Sequence, residues 1–413
     1  MSRLEELIAE LCPDGVEFRK IKDAYKRLQG TPITAEKMKE IDNPYGDIRI
    51  FAGGKTVISA SEKDIPKANI TRVPAVLVQS RGVIDAIYYE EPFTFKNEMW
   101  AYTTENRTSV KYLYYVLKNN IQQFRDAASG MGSLPQISLK VTEDFIIPLP
   151  PLPVQREIVR ILDNFTELTA ELTAELTARK KQYEYYRKLL MNFDGQRDIE
   201  VKWITLGEVG RVSMCKRIMK AETTSEGDVP FYKIGTFGRV PDAYISQDKY
   251  DEYKKKAYSF PKKGDILISA AGTIGRTVIY DGEPAYYQDS NIVWIDNDEK
   301  KALNKYLFYC YSMNPWAVSN GGTIARLYND NINKAKIPVP SLEEQERIVA
   351  ILDRFDALCN DLTSGLPAEI EARRKQYEYY RDKLLTFPAR PACPSGLSVR
   401  QAGRRAGGKE ATA

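Results

Sequence analysis

Histidine is absent from the 413 residues. That absence excludes Ser-His-Asp and Cys-His catalysis, histidine metal ligands and a histidine pH switch. Cysteine is sparse: Cys12, Cys215, Cys310, Cys359 and Cys393 include no C-x-x-C pair. An odd, scattered set predicts reduced thiols and a cytoplasmic location. No run approaches the roughly 20 apolar residues of a membrane span. The start, Met1-Ser-Arg-Leu-Glu-Glu-Leu7, has no apolar signal core, so no membrane partner is expected. A general basic field is missing too. Of 60 basic and 56 acidic residues, five basic (Arg390, Arg400, Arg404, Arg405, Lys409) and one acidic (Glu410) lie beyond residue 387. The remaining 55 of each sign cancel, so any nucleic-acid contact must use local patches or a partner's charge.

Catalytic motifs are scarce as well. Ala52-Gly-Gly-Lys-Thr56 resembles the end of a phosphate loop, but Arg49 stands where the first glycine belongs, so an ordinary turn is expected. Asn43-Pro-Tyr-Gly46 lacks the second proline of an adenine-methyltransferase motif and reads as a turn. No carboxylate cluster has metal-site or nuclease spacing. No cofactor is expected on this chain.

What is present is a repeat. Lys181-Gln-Tyr-Glu-Tyr-Tyr-Arg187 recurs letter for letter as Lys375–Arg381. Gln155-Arg-Glu-Ile-Val-Arg-Ile-Leu-Asp163 is matched by Gln345-Glu-Arg-Ile-Val-Ala-Ile-Leu-Asp353. An Ile-Pro-x-Pro run precedes each, at 147–150 and 337–340. The second copy holds four more residues between its blocks. Weaker echoes link Val16–Ile21 to Val201–Leu206, Gly82-Val-Ile to Gly272-Thr-Ile, and Tyr112-Leu-Tyr-Tyr to Tyr306-Leu-Phe-Tyr.

The copied blocks read as long helices. From Gln155 to Leu190, Ile158, Ile161, Leu162, Phe165, Leu168, Leu172 and Leu176 recur at three- and four-residue spacings. Prolines 148, 150, 151 and 153 should prevent an earlier start. The second helix is expected from about Leu342 to Leu385, kinked or broken at Ser364-Gly-Leu-Pro367. Stripes this narrow predict that the two helices pack together as an antiparallel coiled coil. Strands are expected at Ala75–Gln79 and Asp265–Ser269, and helices with aromatic faces at Tyr112–Leu117 and Tyr306–Tyr311.

The expected class is α+β: two globules separated by two long helices, with an internal pseudo-twofold repeat. The expected segments are an N-terminal helix (1–12), a first globule (13–146), a central helical spacer (147–197), a second globule (198–336), a second spacer (337–387) and a disordered basic tail (388–413). Ser2 and Glu5 make a capping-box pattern. The N-terminal helix either docks near the end of the second long helix or covers its own globule.

Two basic stretches stand out: Arg19, Lys20, Lys22, Lys26 and Arg27 with Phe18 and Tyr25, and Arg211, Lys216, Arg217 and Lys220. Such residues neutralise phosphates, and arginine forks read guanine. A solvated face explains the same runs. Arg81 beside Gly82, Arg276 after Gly275, and Arg326 near Gly321-Gly322 are loop arginines suited to base contacts. In the repeated block, Tyr183, Tyr186 and Leu190 form a packing stripe at i, i+3 and i+7. Exact repetition of the block favours a protein contact, between the helices or with identical partner subunits, by Tyr183, Tyr186, Arg187, Tyr377, Tyr380 and Arg381.

The proline-rich approach, the Gln-x-x-Ile-Val-x-Ile-Leu-Asp helix start, the Arg-Lys-Lys-Gln-Tyr-Glu-Tyr-Tyr-Arg block and the diverged halves together resemble a type I restriction–modification specificity subunit, HsdS. The resemblance covers residues 1–387. Thr169-Ala-Glu-Leu172 and Thr173-Ala-Glu-Leu176 resemble the spacer of the IC subgroup. The resemblance implies two target recognition domains, each reading half of a bipartite asymmetric double-stranded DNA site. It implies helices that space them and bind two methyltransferase subunits, with two restriction/translocase subunits completing the complex. S-adenosylmethionine, ATP and magnesium would belong to those partners, and this chain would be non-catalytic. The alternatives are a DNA methyltransferase carrying its own recognition domains and a coiled-coil scaffold with no DNA role.

Overall fold

The computed structural model describes residues 3–129, 134–193, 200–256, 258–317 and 326–390. The chain forms two units, Met1–Glu171 with Ile370–Ala413, and Leu172–Glu369. Ser2, the Gly321-Gly322 pair and the tail beyond Arg390 lie outside the described residues.

The first half runs α1 (Arg3–Leu11), β1 (Glu17–Lys20), α2 (Ile21–Ala24), β2 (Lys26–Leu28), α3 (Ala35–Glu40), β3 (Ile48–Phe51) and β4 (Val57–Ala60). It continues with β5 (Ala75–Gln79), β6 (Asp85–Tyr89), β7 (Phe93–Phe95), β8 (Trp100–Thr103), α4 (Arg107–Asn119), α5 (Ile121–Asp126), α6 (Leu139–Glu143), β9 (Ile146–Leu149) and the long α7 (Leu152–Met191). The second half runs β10 (Lys202–Thr205), α8 (Leu206–Val209), β11 (Arg211–Ser213), β12 (Val229–Tyr232), β13 (Tyr244–Ile245), α9 (Gln247–Lys255), β14 (Ile266–Ser269) and β15 (Thr277–Ile279). It ends with β16 (Tyr286–Tyr287), β17 (Ile292–Asp296), α10 (Asn304–Ser312), α11 (Asn329–Lys334), β18 (Lys336–Val339), α12 (Leu342–Asn360) and α13 (Leu366–Leu384).

The sheets match strand for strand. A four-stranded sheet has the order β2-β8-β5-β6 in the first unit and β11-β17-β14-β15 in the second. A three-stranded sheet has the order β4-β3-β7 or β13-β12-β16, with one antiparallel and one parallel pairing in each. A two-stranded ribbon, β1-β9 or β10-β18, leads into the long helix. The weak sequence echo between Val16–Ile21 and Val201–Leu206 is thus the same ribbon built twice.

Alternation explains the central strands. In β5, Ala75 and Leu77 join Phe51, Phe93 and Phe95 in one core, while Val76 and Val78 join Val110, Leu113 and Leu117 of α4 in another. A period of two sends successive side chains to opposite faces, so a strand covered on both faces is apolar throughout. In β14, Leu267 faces one core and Ile266 and Ile268 the other, beside Tyr306 and Leu307 of α10.

The α7 helix starts three residues earlier than expected and spans 40 residues, about 60 Å at 1.5 Å per residue. Pro153 does not prevent this, because N–H groups of the first helical turn have no intrahelical acceptor. The expected break in the second helix lies at 361–365. Asp361 accepts hydrogen bonds from Thr363 N–H (2.7 Å) and Ser364 N–H (3.3 Å). Gly365 has no room for a side chain: a Cβ would stand 2.5 Å from the Ala357 carbonyl oxygen. Pro367 then takes the second position of α13, as Pro153 does in α7.

The long helices pack together. In the first unit Phe165 of α7 stacks on Tyr380 of α13 (centroids 5.7 Å apart). In the second, Tyr183 and Tyr186 of α7 stack on Phe355 of α12 (6.1 and 5.5 Å). As α7 advances, its partner recedes along the chain, which is antiparallel pairing. The N-terminal α1 buries Leu4 in the core that also holds Leu385. Val16 N–H donates to Pro388 O and Arg390 N–H to Val16 O, both at 3.0 Å. That core also holds Val76, Val110 and Leu113 of the first globule, so α1 both covers its own globule and meets the end of the second long helix.

Candidate nucleic-acid interface

In the first unit the irregular segments join at the β5–β6 turn. Arg81 at its tip forms an antiparallel bridge with Gln136. Gly82 N–H donates to Pro135 O and Ile137 N–H to Ser80 O, both at 2.9 Å. Gly82 has φ of 78°, the left-handed region that favours glycine. The β3–β4 turn leans on the same tip through Gly54 N–H to Arg81 O (3.1 Å). Lys55 is exposed beside it.

This β3–β4 turn is Ala52-Gly-Gly-Lys-Thr56, closed by Ala52 N–H to Thr56 O at 3.0 Å. The Gly53 amide that a phosphate would need is taken by Glu98 Oε1 at 2.8 Å. Burial works against the Glu98 charge, but Gly53 N–H, Lys96 and Arg81 hold its carboxyl below the usual range. A fixed anion already occupies the place, so the segment does not fit a nucleotide. Asn43–Gly46 is likewise a turn, with Tyr45 N–H on Asn43 Oδ1 at 3.1 Å and Gly46 N–H on Asn43 O at 2.8 Å.

Most of the first basic stretch is already paired. Lys20 and Lys22 meet Asp144 at 3.0 and 2.7 Å, Arg27 meets Glu143 at 3.1 Å, and Arg19 meets Glu17 at 2.7 Å. The two lysines hold the Asp144 carboxyl down at about 2. Exposed pairs of this kind are weak and screened by salt, so a phosphate can displace them. Lys26 is exposed. The position two residues before the second ribbon strand, 144 in the first unit, is occupied by Lys334 in the second, so the acidic counterpart is absent there.

The second unit has the same joint with other residues. Ala271 bridges Arg326, and Leu327 N–H donates to Ala270 O at 2.9 Å. Arg326 Nη2 donates to Asn291 Oδ1 at 2.8 Å. Beside it opens a cleft lined by Met214, Ser290, Tyr328, Asn331 and Lys334. Arg276 is held more firmly. Its Nη2 donates to Ile234 O (3.0 Å), its guanidinium lies 5.4 Å from the Phe237 ring centre, and its Nε is buried without a partner. Burial, then the charge of Arg239, lowers its proton affinity.

Arg211 and Lys220 are exposed, Lys216 lies over the Tyr258 ring at 5.6 Å, and Arg217 pairs with Asp289 at 2.8 Å. The two basic stretches are less alike than their sequence positions suggest. Lys26 opens β2 and Arg211 opens β11, which are equivalent strands. Of the other bases of the first stretch, Arg19, Lys20 and Lys22 precede that strand and Arg27 lies within it, whereas those of the second follow it.

Three turn residues escaped the sequence reading: Lys55, Gln136 and Arg239. Lys55 and Arg239 each follow a left-handed glycine, Gly54 (φ 72°) and Gly238 (φ 70°), at the turn of equivalent hairpins. That Gly-basic pairing was the available signal. Gln136 carried none, because its bridge partner is 55 positions away.

The six residues named for partner contact lie where α7 packs on α12 and on α13. Arg187 sits over Tyr183 and Arg381 over Tyr377, both 5.6 Å from the ring centre. Tyr183 is buried. The outward members of the repeated block are Tyr185 and Tyr379, each 63 % exposed. Among the described residues no three His, Cys, Asp or Glu side chains gather as a metal site. None of the described helices is long and apolar enough to cross a membrane.

The type I restriction modification DNA specificity domain matches residues 13–179 and 198–372. The EcoR124I/EcoR124II specificity subunit of Escherichia coli is 32% identical over 413 residues, covering 94% of this chain and 98% of that protein. A Haemophilus influenzae protein assigned as a type I restriction enzyme specificity subunit is 53% identical over 303 residues, 71% of this chain and 77% of its own. The crystal structure of the S subunit from M. genitalium superposes with a TM-score of 0.57 at 17% identity, over 90% of this chain and 95% of that one, and so shares the fold. With the family matched across both halves, the chain belongs to the type I restriction–modification DNA specificity family and is a non-catalytic DNA-sequence specificity subunit of a multi-subunit complex.

Proposed function

We propose that each globule reads one half of a bipartite, asymmetric double-stranded DNA site, and that the paired helices dock two methyltransferase subunits. The observation that carries this reading is one strand order built twice, with different basic and polar residues at the same turns. A repeated frame sets where two readers stand, and unlike turns let them read unlike sequences. Arg81, Arg276 and Arg326 are the arginines for base edges. Arg19, Lys20, Lys22, Lys26, Arg27, Arg211, Lys216, Arg217 and Lys220 serve the phosphates. Because residues 1–387 carry no net charge, partner subunits supply much of the phosphate grip. S-adenosylmethionine binds the methyltransferase subunits, and ATP and magnesium belong to two restriction/translocase subunits.

The test replaces residues 13–146 with the equivalent segment of another family member and maps methylated sites in a host carrying the complete system. One half-site should change and the other stay. A change in both, or in neither, overturns the modular reading.

For docking, Tyr185→Ala with Tyr379→Ala removes the outward rings of both blocks. We expect weakened assembly with methyltransferase subunits in sedimentation and an unchanged fold. Tyr183→Ala with Tyr377→Ala should instead loosen the helix pair itself. Full assembly by the Tyr185/Tyr379 variant would restrict the blocks to holding the helices together.

A further inference from the structure

We propose that two cross-strand positions, 81 with 136 in the first unit and 271 with 326 in the second, are the base-selecting cell of each recognition domain. This rests on the half-site reading above. Both pairs are antiparallel bridges, and each partner lies 190 residues from its counterpart. In the first, the flanking bonds run from Gly82 N–H to Pro135 O and from Ile137 N–H to Ser80 O. Those bonds make 81 and 136 a non-hydrogen-bonded pair, the type whose side chains stand closest and on one face. Leu327 N–H to Ala270 O puts 271 and 326 in the same relation.

The contents of the cell differ in a telling way. Each cell holds one arginine, on opposite sides of the bridge: Arg81 faces Gln136, and Ala271 faces Arg326. Neither pair itself contains an acid, though the Glu98 carboxylate lies within electrostatic reach of Arg81. Arg81 and Gln136 are exposed, Arg326 is half-buried and Ala271 is buried. Arginine reads guanine O6 and N7 with two donors, and glutamine reads adenine N6 and N7. The first cell therefore suits a guanine beside an adenine. In the second, Asn291 holds one terminal nitrogen of Arg326. That contact orients the guanidinium toward one guanine, and small Ala271 leaves its neighbour unread. The bridge joins the hairpin tip to the segment before α6 or α11, so two chain segments fix the cell. A tip tied on both sides holds a side chain in register with a base edge better than a free loop would.

The experiment uses the full specificity subunit with its methyltransferase subunits, read out by methylated-site mapping and by competition binding against every single-base variant of the site. Arg81→Lys keeps the charge and loses the fork. It should cost roughly 10- to 100-fold in preference at one base of the first half-site and leave the second unchanged. Arg326→Lys should do the same in the second half-site only. Gln136→Ala, at an exposed position, should relax an adjacent adenine preference and keeps the test open if an arginine variant folds poorly. Arg81→Gln with Gln136→Arg should move the guanine requirement by one position. Uniform weakening over all sequences would mark these as phosphate contacts and overturn the proposal, as would unchanged preference at every base. If exchange of residues 13–146 still changes one half-site, only the cell has failed; if that exchange changes nothing, half-site reading has failed.

Discussion

The two units bind their long helices with the same atoms and fill their turns with different ones. Tyr115 donates to Asp163 at 2.5 Å and Tyr309 to Asp353 at 2.5 Å. Lys111 and Lys305 reach the same carboxylates at 2.8 and 3.1 Å. Tyr112 donates to Pro148 O and Tyr306 to Pro338 O, at 3.2 and 2.8 Å. Gln155 and Gln345 donate to Pro150 O and Pro340 O. Away from the helices the likeness ends. On the Ala75 and Leu77 face of β5 the first unit has two clusters, one holding Phe51, Phe93 and Phe95 and a separate aliphatic one built on Met38, Ile41, Ile48 and Ile50. The second unit has a single cluster there, richer in rings, with Phe231, Tyr250, Tyr286, Tyr287 and Trp294. A hydrogen bond to a buried ring hydroxyl demands one geometry, whereas an apolar core accepts many side chains of suitable volume. Recognition surfaces can therefore diverge over a frame that does not.

The strongest way to break this comparison is to change the spacing between the units. One further Thr-Ala-Glu-Leu after Leu176 adds ~6 Å and ~40° beyond a full turn. A base pair advances ~3.4 Å and turns ~35°. The insertion should lengthen the non-specific gap by one base pair with both half-sites intact, as methylated-site mapping would show. Three residues would mis-rotate by ~60° and impair activity.

Next come the equivalent core leucines. Leu162→Ala and Leu352→Ala each empty a fully buried site and should cost about 2–5 kcal/mol in denaturant unfolding. Each should weaken its own unit's amide protection; equal loss in both units would mean that the frames unfold together. Tyr115→Phe and Tyr309→Phe should each cost about 1.5–3 kcal/mol, the range for a hydrogen bond to a charged group. Unequal losses would show that the two frames are less alike than their distances.

The smallest effect separates the units by pH. Lys22, then Lys20, holds the Asp144 carboxyl at about 2, below its ordinary 3.8. A depressed carboxyl stabilises the fold above about pH 4 and loses that contribution as pH falls through about 2. Asp144→Asn should therefore lower stability slightly at neutral pH, and the difference should vanish in acid. Lys334 stands at the equivalent place, so the second unit lacks this dependence.

The repeated elements were legible in the sequence because their signal is local. A three- and four-residue stripe gave both helices, and Ser364-Gly-Leu-Pro367 marked the break between α12 and α13. Short strand-like runs between turns marked β5 and β14. The start of α7 was missed by three residues because a proline in the first turn carries no penalty. The basic stretches were legible as charge and illegible as surface: Glu143 and Asp144, which pair with Lys20, Lys22 and Arg27, lie more than a hundred positions away.

Sequence by itself determined the duplication, the two helices and their mutual packing, since periodicity and identity need only neighbours within a turn or two. Tertiary structure alone decided which side of the repeated block is buried. Tyr183 and Tyr186 turn to Phe355 while Tyr185 turns outward, because the helix pair fixes a rotation that the letters leave free. It also decided that Arg81 meets Gln136 while Ala271 meets Arg326. Those bridges join residues 55 positions apart and outside the sheets, and only the tertiary fold brings the hairpin tip to the segment before α6 or α11.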